Sequence, residues 1–514
     1  MRRWGLKKHS TLFAAIAAAA ALFAGALVPG ASAATTTDSS ALRNAVTTNG
    51  VMSHERALQQ IANQNDGTRV SGTSGYDASA SYVANKLRGA GYNVTIQPFD
   101  FAFFSETAPP ELDRVSPSPK TYVEGTDFFT MDYSGSGDVT GTVVPTNDIV
   151  IPPGATASTS NSGCETGDFP TAPTGPSVAL IQRGTCDFVV KARNAQAAGY
   201  DAAIIFNEGQ PGRTDALAGT LGGPEVTIPV IGTTFALGEE TYNLIKSGQA
   251  VTMHVFTSTV SETRSTSNVL ADTRAGRTDR TVVVGAHLDS VPEGPGINDN
   301  GSGTSTILEI ALQMAKLKIQ PTNRVRFAFW GAEESGLIGS EHYVAGLSKQ
   351  QLNDIELNLN FDMVGSPNYV RFVYDGDGSD TPVKGPSGSD DIEDVFVDYF
   401  TSRGLATDPT AFDGRSDYGP FIAEGIPAGG LFTGAEGIKT AQQAAVYGGT
   451  AGVAYDVCYH QACDTIKNVN TKAIDEMSDA TAHTVLTFAM NTSAVNSVDG
   501  DGKTLARKGP HLRK

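Results

Sequence analysis

The chain is short of positive charge: 37 Lys plus Arg stand against 55 Asp plus Glu in 514 residues, a formal net charge of −18. It has no global positive field with which to collect nucleic acid or anionic lipid, so neither is expected as a partner. Cysteine is scarce too. The four cysteines fall into two couples, Cys164 with Cys186 and Cys458 with Cys463, neither spaced as Cys-x-x-Cys, which makes a four-thiolate zinc site a poor assignment. Oxidised staples in an exported protein are simpler, with local pairing within each couple preferred among the three connectivities. No His-Glu-x-x-His and no Gly-x-x-x-x-Gly-Lys-Ser/Thr occurs, removing the usual signatures of a single-ion zincin and of a P-loop enzyme. No Gly-x-Ser-x-Gly stands between a credible strand and helix, so serine hydrolysis lacks its nucleophile turn. Beyond the first 33 residues there is no second long apolar run, and no fixed-period repeat is visible.

What is present indicates a loop-rich globular protein. Hydrophobic residues make up 40%, against wholesale disorder, while 56 Gly and 25 Pro favour a loop-rich globular protein over a helical bundle; coiled coil and collagen are both out. The length exceeds a one-domain prior of about 150 residues several-fold, so two domains, or one large domain with an insertion, are expected. Residues 1–33 read as a signal peptide: Arg2, Arg3, Lys7 and Lys8 form a basic start, an apolar stretch covers 12–28, and Ala31-Ser32-Ala33 offers small-residue cleavage. Export to the extracellular space with no stable membrane insertion follows. A retained anchor is the weaker reading, because the apolar stretch is short and interrupted by glycine.

The periodicity predicts helices over 53–62 and 76–87, then a strand over 94–104. Residues 107–173 are rich in Ser, Thr, Gly and Pro, with strand-length pieces such as 139–144. A strand at 177–181, a helix at 188–198 and a strand at 201–206 form a small α/β unit, which strands at 226–231 and 251–257 close. A second alternation follows: strands at 268–271 and 281–286, a helix at 302–316, strands at 324–330 and 358–361, helices at 391–403 and 469–490, and a strand at 428–432. The reading is therefore α/β, one wound sheet domain built from 45–109 and 258–492, an inserted module over 110–257, and a flexible or processed tail over 493–514.

Acidic residues and histidines stand where these strands end, the edge at which wound sheets gather their chemistry. The run 282–286 leads into His287-Leu288-Asp289, and Gly296-Ile297-Asn298-Asp299-Asn300-Gly301 opens a helix. Trp330-Gly331-Ala332-Glu333-Glu334, Asn360-Phe361-Asp362-Met363 and Cys458-Tyr459-His460 complete the set. His287 can bind a metal through one ring nitrogen while Asp289 accepts from the other. The two oxygens of Asp299 can bridge two ions, and of the adjacent Glu333 and Glu334 one can ligate while the other handles a proton. Two histidines and three carboxylates would make two zinc-like sites with one shared ligand. Taken singly, each signal has a plainer reading: a hydrogen-bonded core histidine, a solvated pair of glutamates, a glycine-rich turn or calcium loop at 289–299. His254, in an apolar strand-like run, and His342, in a helix, read as packing or surface residues.

Together, the blocks Gly285-Ala286-His287-Leu288-Asp289, Gly296 to Gly301, Gly331-Ala332-Glu333-Glu334, Asn360-Phe361-Asp362-Met363 and Tyr459-His460 resemble those of the secreted co-catalytic zinc aminopeptidases of bacteria and fungi, related in catalytic fold to the glutamate carboxypeptidases. The likeness covers about 50–110 and 258–492. Cys186-Asp187-Phe188 and the helix after it resemble the core of a protease-associated domain inserted between them. The resemblance implies a mixed wound sheet sandwiched by helices, of zinc exopeptidase type. It implies two Zn2+, one on His287, Asp299 and Asp362, the other on Asp299, Glu334 and His460, with Asp289 behind His287. Glu333 would be the general base, Tyr459 would help stabilise the oxyanion, and Arg415 would lie near bound substrate. The implied activity is removal of the first residue from the N-termini of peptides and proteins, favouring Leu or other large apolar residues, by a secreted monomer. A metallo-carboxypeptidase or other zinc amidohydrolase on the same scaffold, and a non-catalytic extracellular binding protein, are the alternatives. Ca2+ is admitted as a further ion, although no EF-hand loop is present.

Overall fold

Val282-Val283-Val284 sets the plan of the larger sheet, because a β-branched run buried on both faces belongs in the middle of a parallel sheet. In the computed structural model, which describes residues 37–496, Val282 and Val284 point into the main core with Phe327, Leu357 and Leu359. Val283 points the other way, towards Ala328, Trp330, Tyr343 and Phe421. The strand Arg277–His287 lies between Asn323–Trp330 and Ile355–Phe361, parallel to both, and Ala428–Phe432 extends the parallel set. Phe372–Tyr374 is added antiparallel beyond it, with Asp408–Thr410 at the edge.

Helices cover both faces of this mixed sheet, as expected. Thr48–Asn63, Ser74–Gly89, Gly303–Lys316, Ser389–Ser402 and Thr471–Met490 contribute to the main core. In Gly303–Lys316 the buried Ile307, Ile310, Ala311 and Met314 recur at the spacing of one helix face. Ile338–Ala345 and Gly419–Ala423 cover the opposite side through Tyr343, Val344 and Phe421.

The inserted module repeats the plan in miniature. Gly137–Pro145, Ser177–Gln182, Ala202–Phe206 and Val230–Thr233 run parallel. Val178, Leu180, Ile204 and Phe206 face one cluster with Leu237 of the helix Phe235–Lys246, while Ala179, Ile181, Ala203 and Ile205 face another with Ala192 and Ala195 of Phe188–Ala197. The strand expected at 226–231 begins only at Val230, since Pro229 has no N–H to give a ladder.

The connection between the two parts departs from expectation. The pieces expected at 94–104, 251–257 and 268–271 belong to one antiparallel ribbon, Asn93–Ser116 against Thr252–Asp272, with Asn93 opposite Asp272 and Ser116 opposite Thr252. One end of Thr252–Asp272 pairs with Asn323–Trp330 and the other with Gly137–Pro145, so among the described residues fourteen strands form one continuous sheet. The divisions at 109/110 and 257/258 thus fall inside unbroken strands. Residues 258–267 conceal this because they are almost all half-buried or exposed, and so lack the apolar alternation of a strand covered on one face.

The expected signal segment 1–33 lies outside the described residues, as does most of the expected tail. That tail needs one correction: Ser493–Asn496 is a helical turn, and Val495 is buried in the main core, packing the chain further than its polar composition indicated.

Candidate metal centre

Sheet register brings the candidate residues to one edge. Trp330 lies beside His287, so Glu333 and Glu334 emerge where the strand Arg277–His287 ends. Asp362 directly follows Phe361, at the same end of the neighbouring parallel strand. Asp299 comes from a wide turn, Ile297–Ser302, in which Asp299 and Asn300 are non-helical. Asn300 fixes that turn: its Oδ1 accepts from Gly303 N at 2.9 Å and Met363 N at 3.1 Å, and its Nδ2 donates to Phe361 O at 2.9 Å. Glycine is required at 303, where a Cβ would lie 2.1 Å from the Phe361 carbonyl oxygen. Asp464 ties in the last segment, accepting from Asn298 N at 2.9 Å and Asp299 N at 3.0 Å. It lies one residue beyond the Cys458–Cys463 disulfide that closes the His460 loop. Three non-glycine residues hold left-handed backbone here, Ala332, Met363 and His460, with φ of +53°, +54° and +53°. Each costs about 1–3 kcal/mol, which the packing around them must supply, and each redirects the chain beside a candidate ligand or at one.

Asp299 is the hub. Its Oδ1 lies 3.1 Å from His287 Nε2 and its Oδ2 3.2 Å from His460 Nε2. Asp362 Oδ1 is 3.3 Å from His287 Nε2, and Glu334 Oε2 is 3.1 Å from His460 Nε2. Glu333 stands slightly back, 3.9 Å from His287 Nε2. Asp289 Oδ1 is 3.5 Å from His287 Nδ1, on the far side of the ring.

These separations suit metal ions. With bonds of about 2.0–2.2 Å, neighbouring ligand atoms on a tetrahedral zinc lie about 3.3–3.6 Å apart. Glu334 Oε1 and Asp362 Oδ1 are buried without a hydrogen-bond partner, an arrangement that a protein-only site leaves costly. The electrostatics agree. Burial pushes Glu333 well above the carboxylate range and Glu334 up to about 7, with neighbouring carboxylates adding to both. Burial opposes charge on His460, but Asp299 and Glu334 outweigh it and carry the imidazole up to about 10. Burial disfavours charge on Asp299, yet His287 and His460 hold it below its ordinary value. Two imidazoles thus serve more carboxylates than they can neutralise, and divalent cations would balance the set.

Tyr459 and Arg415 line the same cavity as the hub, together with Met363, Tyr374, Tyr418 and Phe432. The Tyr459 ring stacks on His460 with centroids 3.9 Å apart. Arg415 Nη2 donates to Tyr459 Oη at 3.2 Å and Nη1 to Glu436 Oε1 at 2.8 Å. Burial raises the Tyr459 hydroxyl above its usual value, so it keeps its proton and remains a donor. All the candidate residues named from sequence therefore meet in one place, and both cysteine couples pair locally, Cys164 with Cys186 and Cys458 with Cys463.

Sequence reasoning missed the supporting residues. Ser416 donates from Oγ to Asp362 Oδ2 at 2.5 Å and accepts from Asn360 Nδ2 at 2.8 Å, which orients that carboxylate. Arg69 is fully buried; its Nε donates to Pro295 O at 2.8 Å, and its other nitrogens donate to the carbonyls of Leu288 and Gly296. One guanidinium thus holds the loop between His287 and Asp299 and sets a positive charge behind the acids. Burial lowers its pKa to about 10, which leaves it charged. Asp417 is buried near the same acids with both oxygens unpartnered. No sequence signal marks Arg69, whose partners are backbone carbonyls.

Peptidase family M28 matches residues 268–485, and the PA domain matches 139–241. The chain is 47% identical over 451 residues to an aminopeptidase of Pseudomonas aeruginosa, covering 87% of this chain and 82% of that one. It is 40% identical over 437 residues to leucine aminopeptidase 2 of Arthroderma otae, covering 84% and 82%. Among solved structures it is similar to a zinc aminopeptidase from Bacillus subtilis, with a TM-score of 0.54, 25% identity, and 86% and 95% of the two chains covered.

Proposed function

Because the chain belongs to peptidase family M28 and carries an inserted PA domain, we propose that it removes residues one at a time from peptide and protein N-termini at a two-zinc centre, as a secreted monomer. It is a zinc metallo-aminopeptidase. The observation that carries the two-ion reading is the hub geometry: the two oxygens of Asp299 face two different histidines, at 3.1 and 3.2 Å. His287, Asp299 and Asp362 would hold one ion, and Asp299, Glu334 and His460 the other.

Zinc supplies Lewis acidity at such a site, easing deprotonation of water and polarising the scissile carbonyl. The chain's residues do the rest. Glu333, set back from the ligands, takes the proton from the attacking water and returns it to the departing amine. The Tyr459 hydroxyl donates to the oxyanion, held in place by Arg415. Asp289 orients His287, and Ser416 orients Asp362. The surplus of carboxylates favours a substrate ammonium beside the hub, which limits attack to the first peptide bond. Met363, Tyr374, Tyr418 and Phe432 in the cavity wall suit a large apolar first side chain such as Leu, in keeping with the fungal relative's name. We take 1–33 as the signal peptide, about 110–257 as the inserted PA module and about 45–109 with 258–492 as the catalytic domain, the ribbon Asn93–Ser116 with Thr252–Asp272 running unbroken through both divisions. Two disulfides support export, and no helix among the described residues is long and apolar enough to cross a membrane. For calcium, Asp375, Asp377 and Glu393 lie together, but their oxygens accept main-chain N–H groups of 376 and 379–381. That arrangement already satisfies them without an ion.

The test uses Leu-initiated peptides with free, N-acetylated or C-amidated ends. Release of Leu from the free and amidated peptides, none from the acetylated one, and loss on chelation with recovery on adding zinc are expected. Release of residues from the carboxyl end would overturn the proposal in favour of a carboxypeptidase.

A further inference from the structure

The alternation that packs Leu112, Met253 and Val255 into the inserted module's core turns Glu111, Asp113 and His254 to its outer face. Asp113 lies directly opposite His254 across the ribbon, and Glu111 lies opposite Phe256, the next outward residue. On the other flank, Gly137–Pro145 places Asp138 opposite the same Phe256. His254 is thereby set between carboxylates from two neighbouring strands. Its Nδ1 is 3.3 Å from Asp113 Oδ2 and its Nε2 is 3.0 Å from Asp138 Oδ1. Thr121 Oγ1 donates to Asp113 Oδ1 at 2.6 Å, which leaves Oδ2 turned towards the ring. A ring nitrogen of His254 and one oxygen each of Glu111 and Asp113 all lie within 4.8 Å of one another.

The buried centre offers a partial parallel: there one histidine nitrogen has two carboxylates at 3.1 and 3.3 Å and an aspartate faces the other nitrogen, whereas at His254 one carboxylate, Asp113, lies at 3.3 Å, Glu111 joins only within the 4.8 Å grouping, and Asp138 faces the other nitrogen. We propose that Glu111, Asp113 and His254 form a second, separate divalent-metal site on the outer face of the inserted module, with Asp138 orienting the imidazole. An imidazole with two carboxylates suits zinc or a similar borderline ion rather than calcium or magnesium, which take all-oxygen sites. Three protein ligands leave a coordination position for water. The ligands come from both strands of the ribbon and the orienting aspartate from a third, so the ion clamps the root of the inserted module. With Glu111 exposed and Asp113 and His254 half-buried, this site exchanges more readily than the buried one.

Equilibrium dialysis of the full chain against buffered zinc tests this, comparing wild type with His254→Gln, Asp113→Asn and Asp138→Asn. The wild type should hold one zinc more than His254→Gln, Asp113→Asn should weaken that extra ion, and Asp138→Asn should keep it about 10–100-fold more weakly. Excess zinc should raise the melting temperature of the wild type more than that of His254→Gln, and turnover of a Leu chromogenic substrate should match in all four. Because the comparison is a difference between proteins with the same catalytic centre, it stands whatever that centre holds. Equal zinc content in the folded wild type, His254→Gln and Asp113→Asn would overturn the proposal and leave an ion-pair cluster only.

Discussion

Replacing Glu333 with Gln is the sharpest perturbation of the catalytic reading. Glu333 is 8% exposed and stands 3.9 Å from His287 Nε2, farther than Asp299 at 3.1 Å or Asp362 at 3.3 Å. Its backbone N–H donates to Asp289 Oδ1 at 3.3 Å, a bond the substitution keeps. Gln has nearly the same volume and still fills the space, but it cannot accept a proton. The loss is therefore that of a general base, 10²–10⁴-fold in kcat, or about 2.7–5.4 kcal/mol of barrier. KM and zinc content should change little. Stability should move the opposite way in zinc-free protein. Burial first, then Asp362, Asp417 and Glu334, push the Glu333 carboxyl up, so its ionised form costs the fold free energy as pH rises above the ordinary carboxylate range. Zinc-free Glu333→Gln should thus melt higher than zinc-free wild type, by a margin that grows with pH. Steady-state kinetics on a Leu chromogenic substrate, metal analysis of the same sample and melting curves across pH give all three readouts. A fully zinc-loaded variant retaining kcat within about threefold of wild type would refute the base assignment.

Asp289→Asn should weaken zinc binding about 10–100-fold, because His287 Nδ1 loses the carboxylate 3.5 Å away; competition with a chromophoric chelator measures this, and an unchanged Kd would remove Asp289 from its orienting role. In the inserted module, Glu208 accepts from the backbone of Ser158 at 2.8 Å, Thr159 at 2.8 Å and Ser160 at 3.3 Å, and from Arg213 at 3.0 Å. Burial alone would raise its carboxyl, but these donors outweigh it and leave it below its ordinary value. Its stabilisation is present above the unfolded carboxylate pKa and is lost as pH falls through the folded one. Glu208→Gln should then melt below wild type at neutral pH, with a gap that closes on acidification; a gap independent of pH would count against the ionised role.

The candidate edge was legible in sequence because its signals are local. His287, Glu333 with Glu334, and Asp362 each follow an apolar run that ends abruptly, and glycines frame Asp299. A β-strand that stops at a charged residue announces where its chain leaves the sheet. The strand–helix–strand order also exposed the inserted module, since its strands are short apolar runs buried on both faces. The two disulfides were readable because each couple is close in sequence.

Other features were decided in three dimensions. The second strand of the ribbon joining the two parts has a polar, half-exposed stretch over 258–267, so no apolar pattern marks its continuity, and only inter-strand pairing defines it. Arg69, Ser416 and Asp464 support the centre through backbone carbonyls, one carboxylate and backbone amides supplied by distant segments. His254, read as a packing or surface residue, is set between Asp113 and Asp138 only by the register of three strands. Residue type and strand ends marked the groups proposed to carry the chemistry; sheet register and buried hydrogen bonds determined which groups meet, because those depend on contacts between chain segments far apart in sequence.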